Sequence, residues 1–399
     1  MKRRILFVDD EDLVLRAIAR LLQPMTREWE MEFVTSGAKA LNRMAEARFD
    51  VIVSDMRMPG MNGAELLNEV MKRHPRTVRF ILSGFADREL ILKCVGSTHQ
   101  YLSKPCDERE LRTAILRATR LEESLESETL RELVTRCSSL PSVPELYSEL
   151  IEVLQDPDAD TEEMAAIILK DGGMTARILK LANSAFFGCG REISDVSEAI
   201  TYLGTETIKS LILFSNAFSQ HEHLEFPGFD AQSLWRHSLE TANASKMIAV
   251  YESEERKVAE EAYVAGLLHD VGKLMLAVNL PGLYREAIAV ARLEKVPLSV
   301  VERKMFGADH ADIGGYLLGL WGLPVPVVEA IALHHRPGGA VQKKFSPLTA
   351  LHAGNILASS KTPAIADVPA SEWDENYLAE LGLKGRAKAW QKEWLEQTA

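Results

Sequence analysis

Five polar residues with complementary chemistry stand at equivalent places along the first hundred residues. Asp9 and Asp10 follow the apolar run RILFV, Asp55 closes DVIVS, Ser83 closes RFILS and Lys104 follows QYLS. Carboxylates brought together repel unless a cation joins them. An all-oxygen set without histidine suits a hard, partly hydrated ion such as Mg2+. Lys104 then needs an anionic partner. A phosphoryl group on one carboxylate would lie between the ion on one side and Lys104 and Ser83 on the other. One such aspartate could simply cap the helix that follows it, but five polar groups at successive strand ends are better explained by one site.

A second group stands later in the chain. Nine of the ten histidines occur from His99 onward, and His237, His269, His310, His334, His335 and His352 form the set of interest. Asp270 adjoins His269, and Lys273 is one helical turn further on the same face. Imidazole and carboxylate in a helical cradle are ligands for a divalent transition metal, which could activate water against a phosphoester. The same histidines could equally serve as hydrogen-bonded core groups.

The elements that must position these residues are legible in the periodicity. Residues 4 to about 103 alternate short apolar runs with amphipathic stretches. That βαβ pattern predicts a flavodoxin-like, doubly wound domain with a five-stranded parallel sheet, whose functional crevice lies beyond the carboxyl ends of the strands. The strands read as RILFV, MEFVT, DVIVS, RFILS and QYLS. Residues 139–360 show no strand alternation and predict an all-helical domain. Between them, residues 107–138 hold a long Leu-, Glu- and Arg-rich stretch, predicted to continue the last helix of the first domain as a connector. Leu111, Ala114, Ala118, Leu121 and Leu125 follow a 3-4 spacing, a short coiled-coil seam that predicts a homodimer unless the stripe lies on its own chain. Pro141 and Pro144 then break the helix. Residues 361–399 form a helical tail with two tryptophans in WQKEWLEQ.

Over residues 1–121 the chain resembles the receiver domain of two-component response regulators, through FVDDE, SDMRMPGMNG, ILSG and YLSKP. The resemblance implies that Asp55 takes a phosphoryl group from the phosphohistidine of a sensor kinase or phosphotransfer protein. It implies Mg2+ held by Asp10, Asp55 and the backbone carbonyl of Arg57, with Asp9 acting through water. Ser83 and Tyr101 would be the switch residues, Lys104 would bind the phosphoryl group, and the Lys104–Pro105 bond would be cis.

Over residues 139–360 the chain resembles the HDOD family, relatives of HD-domain phosphohydrolases. LPSVPELYSELIEVL, ILKLANSAFFG, AITYLG, LWRHS, AGLLHDVGKL, DHADIGGYLLGLWGLP and AIALHH occur in that family's order. HDOD domains are mostly regulatory or interaction modules. His237, His269 and Asp270 match three of the four HD metal ligands, and Asn355 stands where the final aspartate belongs. His310, His334, His335 and Lys273 are expected to line the same cleft. Cyclic di-GMP phosphodiesterases of the HD-GYP type share the extra histidines, but here RPGGAVQK follows His335 in place of their HHE…GYP segment. The resemblance therefore implies a signalling adaptor with an unknown downstream protein partner, and as the alternative a phosphorylation-controlled metal phosphohydrolase. Asn183 is expected to fix a helix end, and Phe186, Phe187, Trp235 and Trp321 to be core.

Composition sets the outer bounds. At 399 residues and 46% apolar the chain has room for two or three domains. A net charge of −12 disfavours nucleic-acid binding. No run approaches the roughly 20 apolar residues of a membrane helix, and the first residues are too soon acidic for a signal sequence, so a cytoplasmic location is expected. Cys94, Cys106, Cys137 and Cys189 form no CxxC pair, which fits reduced thiols.

Overall fold

The computed structural model describes residues 2–84, 97–104, 108–123, 127–137, 140, 146, 149–150, 152–153, 160–184, 191–205, 207–208 and 225–397, with backbone alone at 120–123. The Lys104–Pro105 bond, Leu125, Pro141, Pro144, Phe186, Phe187 and three of the cysteines lie outside that set, as does the side chain of Leu121.

The first domain is built from β1 (Arg3–Val8), α1 (Asp12–Leu21), β2 (Trp29–Val34), α2 (Gly37–Glu46), β3 (Val51–Asp55), α3 (Gly63–Arg73), β4 (Val78–Ser83) and β5 (Gln100–Ser103). All the strands are parallel, in the order β2-β1-β3-β4-β5. β3 and β4 are buried along their whole length, as strands covered on both faces must be. Two of the helices, α2 and α3, begin where the sequence offers a cap. Ser36 accepts from Lys39 N at α2, and Asn62 and Glu65 form a capping box at α3. This is the doubly wound sheet predicted from the apolar runs.

The connector differs from expectation. It is two helices, α4 (Glu108–Glu123) and α5 (Glu128–Arg136), and Ser127 between them is extended and caps α5 by accepting from Leu130 N. A serine in a charged stretch prefers this local bond to a place inside a helix. The seam is also used differently. Leu111, Ala114 and Ala118 are buried within the single chain, where α4 packs against β5 and a helix of the second domain, so these three residues of the expected coiled-coil seam are covered.

The second domain contains α6 (Thr161–Ile168), α7 (Gly172–Ala182), α8 (Val196–Leu203), α9 (Ala231–Glu252), α10 (Arg256–Leu268), α11 (Val271–Asn279), α12 (Pro281–Glu294), α13 (Leu298–Phe306), α14 (His310–Leu320), α15 (Val325–Leu333), α16 (Pro347–Ser359), α17 (Glu375–Glu380) and α18 (Arg386–Gln397). A small hairpin, β6 (Glu225–Phe226) and β7 (Phe229–Asp230), precedes α9 and qualifies the all-helical expectation. The apparent long helix around LLHDVGKL is broken at His269–Asp270, where α10 stops and α11 starts. α9, α10 and α16 lie unusually close: a Cβ on Gly266 would be 2.6 Å from the Ala242 Cα, and one on Gly354 2.8 Å from the Ser245 nitrogen. Trp390 and Trp394 of α18 are buried in a separate cluster with α9 and α16, and Trp390 Nε1 donates to Glu252. Residues 361–374 of the expected helical tail are instead an irregular strap between α16 and α17.

The two domains share one core. Arg79 of β4, fully buried, donates to the carbonyls of Ser97, Thr77 and Thr135, tying the sheet to α5, and burial pulls its guanidinium down to about 9. Lys180 of α7 donates to Thr98 O and lies 4.8 Å from the Trp321 ring centroid. Gln100 Nε2 donates to Leu320 O at the end of α14.

Candidate functional site

At the strand ends of the first domain, Asp9 is buried and Asp10 beside it is exposed. Lys104 Nζ lies 2.6 Å from Asp9 Oδ2 and also contacts Asp55 Oδ1, so the ammonium bridges two of the three carboxylates. Asp55 Oδ2 accepts from Arg57 N at 2.7 Å, and Asp9 Oδ1 from Glu11 N at 2.9 Å. Burial pushes the Asp55 carboxyl up, against the pull of Lys104. Burial pulls the Lys104 ammonium down, but its bonds to Asp55 and Asp9 outweigh that and raise it. Ser83 is buried at the end of β4 and Tyr101 within β5, and Lys104 N donates to Ser83 O. Asp9, Asp55 and Lys104 thus come together at the strand ends, with the ammonium between the two carboxylates.

The histidines converge as well. His237 comes from α9, His269 and Asp270 from the α10–α11 junction, His310 from the start of α14, His334 and His335 from the end of α15, and Asn355 from α16. Each ring is anchored outward through Nδ1: His237 to Thr362 O, His269 to Gly266 O, His310 to Glu302 Oε2, His334 to Ile331 O and His335 to Ser371 Oγ, all at 2.6–2.7 Å. The Nε2 atoms therefore point inward. His269 and His310 Nε2 each lie 3.3 Å from Asp270 Oδ1, and His310 Nε2 lies 2.8 Å from His335 Nε2. His269 Nε2, His334 Nε2 and Asp270 Oδ1 are buried with no hydrogen-bond partner among the described residues. Imidazoles oriented from behind by carbonyl and carboxylate groups, with unpaired nitrogens facing one carboxylate oxygen, fit a transition-metal ion. Among the described residues, two groups have ligand atoms within 4.8 Å of one another, His237/His269/Asp270 and His310/His334/His335.

Electrostatics separates the rings. Burial holds His269 well below its ordinary range and His334 down to about 3. Burial opposes charge on His310 too, but Glu302 and Asp270 outweigh it and raise the ring to about 9. Asp270 is held low despite burial by His269 and Lys273, whose Nζ donates to Oδ2 at 2.7 Å. Burial also lowers the His237 imidazole from its ordinary range. Its Nδ1 meets Thr362 O and its Nε2 lies 3.1 Å from Asn355 Oδ1, so the amide oxygen of Asn355 stands beside the ring.

Glu302, Thr362 and Ser371 escaped the sequence reading. Glu302 sits among charged neighbours in VERKMF and carries no motif, yet it is fully buried and accepts from His310 N, His310 Nδ1 and Tyr284. His352 is a support: its ring bonds to His334 O and Asp374 N. Asn183 fixes the end of α7 through bonds to Leu179 O and to both backbone groups of Ile193, as expected. Trp321 is buried and Trp235 packs on the core. No described helix is long and apolar enough to cross a membrane.

Two family models match the chain: the response regulator receiver domain over residues 5–116 and the HDOD domain over 140–337. An uncharacterized protein of Treponema pallidum (strain Nichols) is 26% identical over 227 residues, 56% of this chain and 43% of its own length. The hydrogenase transcriptional regulatory protein HoxA of Cupriavidus necator is 37% identical over 103 residues, 25% of this chain and 21% of its own. This chain thus spans less than half of either relative. The crystal structure of the MmoQ response regulator from Methylococcus capsulatus is 26% identical, covers 63% of this chain and 97% of that one, and has a TM-score of 0.48.

Proposed function

We propose, for a chain that carries a response regulator receiver domain followed by an HDOD domain, that phosphorylation of Asp55 controls the helical half as a signalling module. A sensor histidine kinase or phosphotransfer protein donates the phosphoryl group in the cytoplasm. Asp10, Asp55 and the Arg57 carbonyl hold Mg2+, and Asp9 acts through water. The observation that carries this reading is the position of Lys104: it bridges Asp9 and Asp55 and directly follows β5, whose Gln100 bonds the second domain. A phosphoryl group on Asp55 competes for that ammonium, and Ser83 and Tyr101 report the change. The result is a shift between two arrangements of the domains, which exposes or hides a surface for a downstream protein. Acetyl phosphate or beryllofluoride with Mg2+ is expected to modify Asp55 and change hydrogen exchange along β5. Retention of the label or of the response in Asp55→Asn removes the reading.

A second reading is a metal-dependent phosphohydrolase acting on a nucleotide or cyclic dinucleotide. The buried, unpaired nitrogens of His269 and His334 favour an ion there. Hydrolysis lost in His269→Ala is its test.

A further inference from the structure

We propose that a divalent transition-metal ion at the histidine cluster is a second input to this regulator, and that α14 couples it to the receiver domain. The inference rests on the response-regulator reading above and assigns the cluster a regulatory ligand in place of an organic substrate.

The first ground is size. The cavity against the cluster holds about 60 Å3 and is lined by His237, Lys273, His310, His335 and Asn355. That is room for an ion and a few waters, far below the roughly 300 Å3 and more of pockets that enclose small organic molecules. The strap 361–374 forms one wall of it. Thr362 O and Ser371 Oγ bond the His237 and His335 rings from outside, Pro363, Val368 and Pro369 line the cavity, and Arg292 holds the strap through two bonds to Ala366 O. A phosphoester would have to displace groups that orient the very rings it needs.

The second ground is the donor set. Inward imidazole nitrogens beside one free carboxylate oxygen are ligands for zinc, iron, manganese, cobalt or nickel, and a poor match for Mg2+ or Ca2+.

The third ground is α14. His310 opens it, fixed by Glu302 and by an Asp309–Asp312 capping box. Its last residue, Leu320, accepts from Gln100 of β5. Trp321, one residue further, stacks beneath Lys180, which is bonded to Thr98 just before β5. Eleven residues span about 16 Å at 1.5 Å each. The helix has little freedom to absorb a displacement: a Cβ on Gly272 would lie 2.0 Å from His310 O and one on Gly315 2.7 Å from the Ala332 Cβ, while α4 and α5 pack along its flank. An ion that draws the His310 ring from its bond with His335 therefore acts on a rigid rod that ends at β5, four residues before Lys104.

Linkage makes the coupling measurable from both ends. The full-length protein, stripped with chelator and kept in excess Mg2+, is titrated with Co2+ and followed by visible absorption, with and without beryllofluoride. The Co2+ dissociation constant is expected to change at least about five-fold with beryllofluoride, and Zn2+ loading to change beryllofluoride affinity by the same factor. Gln100→Ala, which touches neither site, is expected to bring both factors close to one. His334→Gln is expected to weaken Co2+ binding about ten-fold or more, with circular dichroism reporting that it folds. No stoichiometric Co2+ binding, or the same affinity in both receiver states, overturns the proposal. Loss of any Asp55-dependent beryllofluoride response would instead remove the response-regulator reading, and the coupling with it, while the Co2+ titration still reports the ion site.

Discussion

Glu302→Gln is expected to discharge His310 and flatten the pH dependence of the metal-free protein. Glu302 is fully buried and accepts from His310 Nδ1 at 2.6 Å and from its backbone nitrogen at 2.9 Å. A rise of His310 from its ordinary 6.5 to about 9 corresponds to about 3 kcal/mol favouring the imidazolium. The folded value lies above the unfolded one, so this stabilisation is fully present below about pH 6.5 and is lost as pH rises through 9. Glutamine keeps the volume and can still accept from the ring, but carries no charge. Burial then faces only Asp270, and the ring should titrate at least one pH unit lower. Histidine-selective 15N NMR on chelator-treated protein reads His310 directly, and urea unfolding between pH 6 and 10 reads the linked stability. Wild-type protein should lose stability across that window and the variant should lose much less. A His310 resonance titrating near 6.5 in both proteins, with superimposable stability profiles, would refute the assignment of Glu302.

Lys104→Ala should still accept beryllofluoride at Asp55 yet show no change in hydrogen exchange along β5 and α14, because the charge-assisted bond that reports the phosphoryl group is gone. Gly272→Ala should lower the midpoint of thermal unfolding, at a cost on the order of 3 kcal/mol, since its Cβ would meet the His310 carbonyl oxygen at 2.0 Å and neither backbone can retreat. Ala118→Glu places a carboxylate at a fully buried position of α4. It should destabilise the single chain by a few kcal/mol in urea titration while the mass by light scattering stays that of wild type.

The receiver half is legible because parallel strands announce themselves as apolar runs, and because each chemical residue stands at the end of one. The helical half is legible mainly in kind. Its histidines can be gathered by motif, but nothing in the spacing shows that each Nδ1 is turned outward by a backbone carbonyl, a hydroxyl or Glu302. Two of those partners come from far along the chain: Thr362 lies 125 residues from His237, and Ser371 36 residues from His335. The connector misled for a related reason. Helical periodicity identified the stripe Leu111, Ala114 and Ala118 but could not say what covers it, and the covering surface, α14, begins about 200 residues later. Arg79 is the hardest case: nothing in RFILS shows the three carbonyl partners that make its arginine a buried tie between sheet and connector.

The apolar core that begins at Ile5 continues without a gap through Leu111 and Leu317 to Ile365. Such a chain is not modular at its apparent joint. A fragment ending near residue 138 would bring Leu111, Ala114 and Ala118 into contact with water, and its natural escape is to stick to a second copy of itself. Oligomers formed by an excised receiver half would then be products of the cut, and grafting that half onto a foreign partner would fail unless the surface of α14 travelled with it.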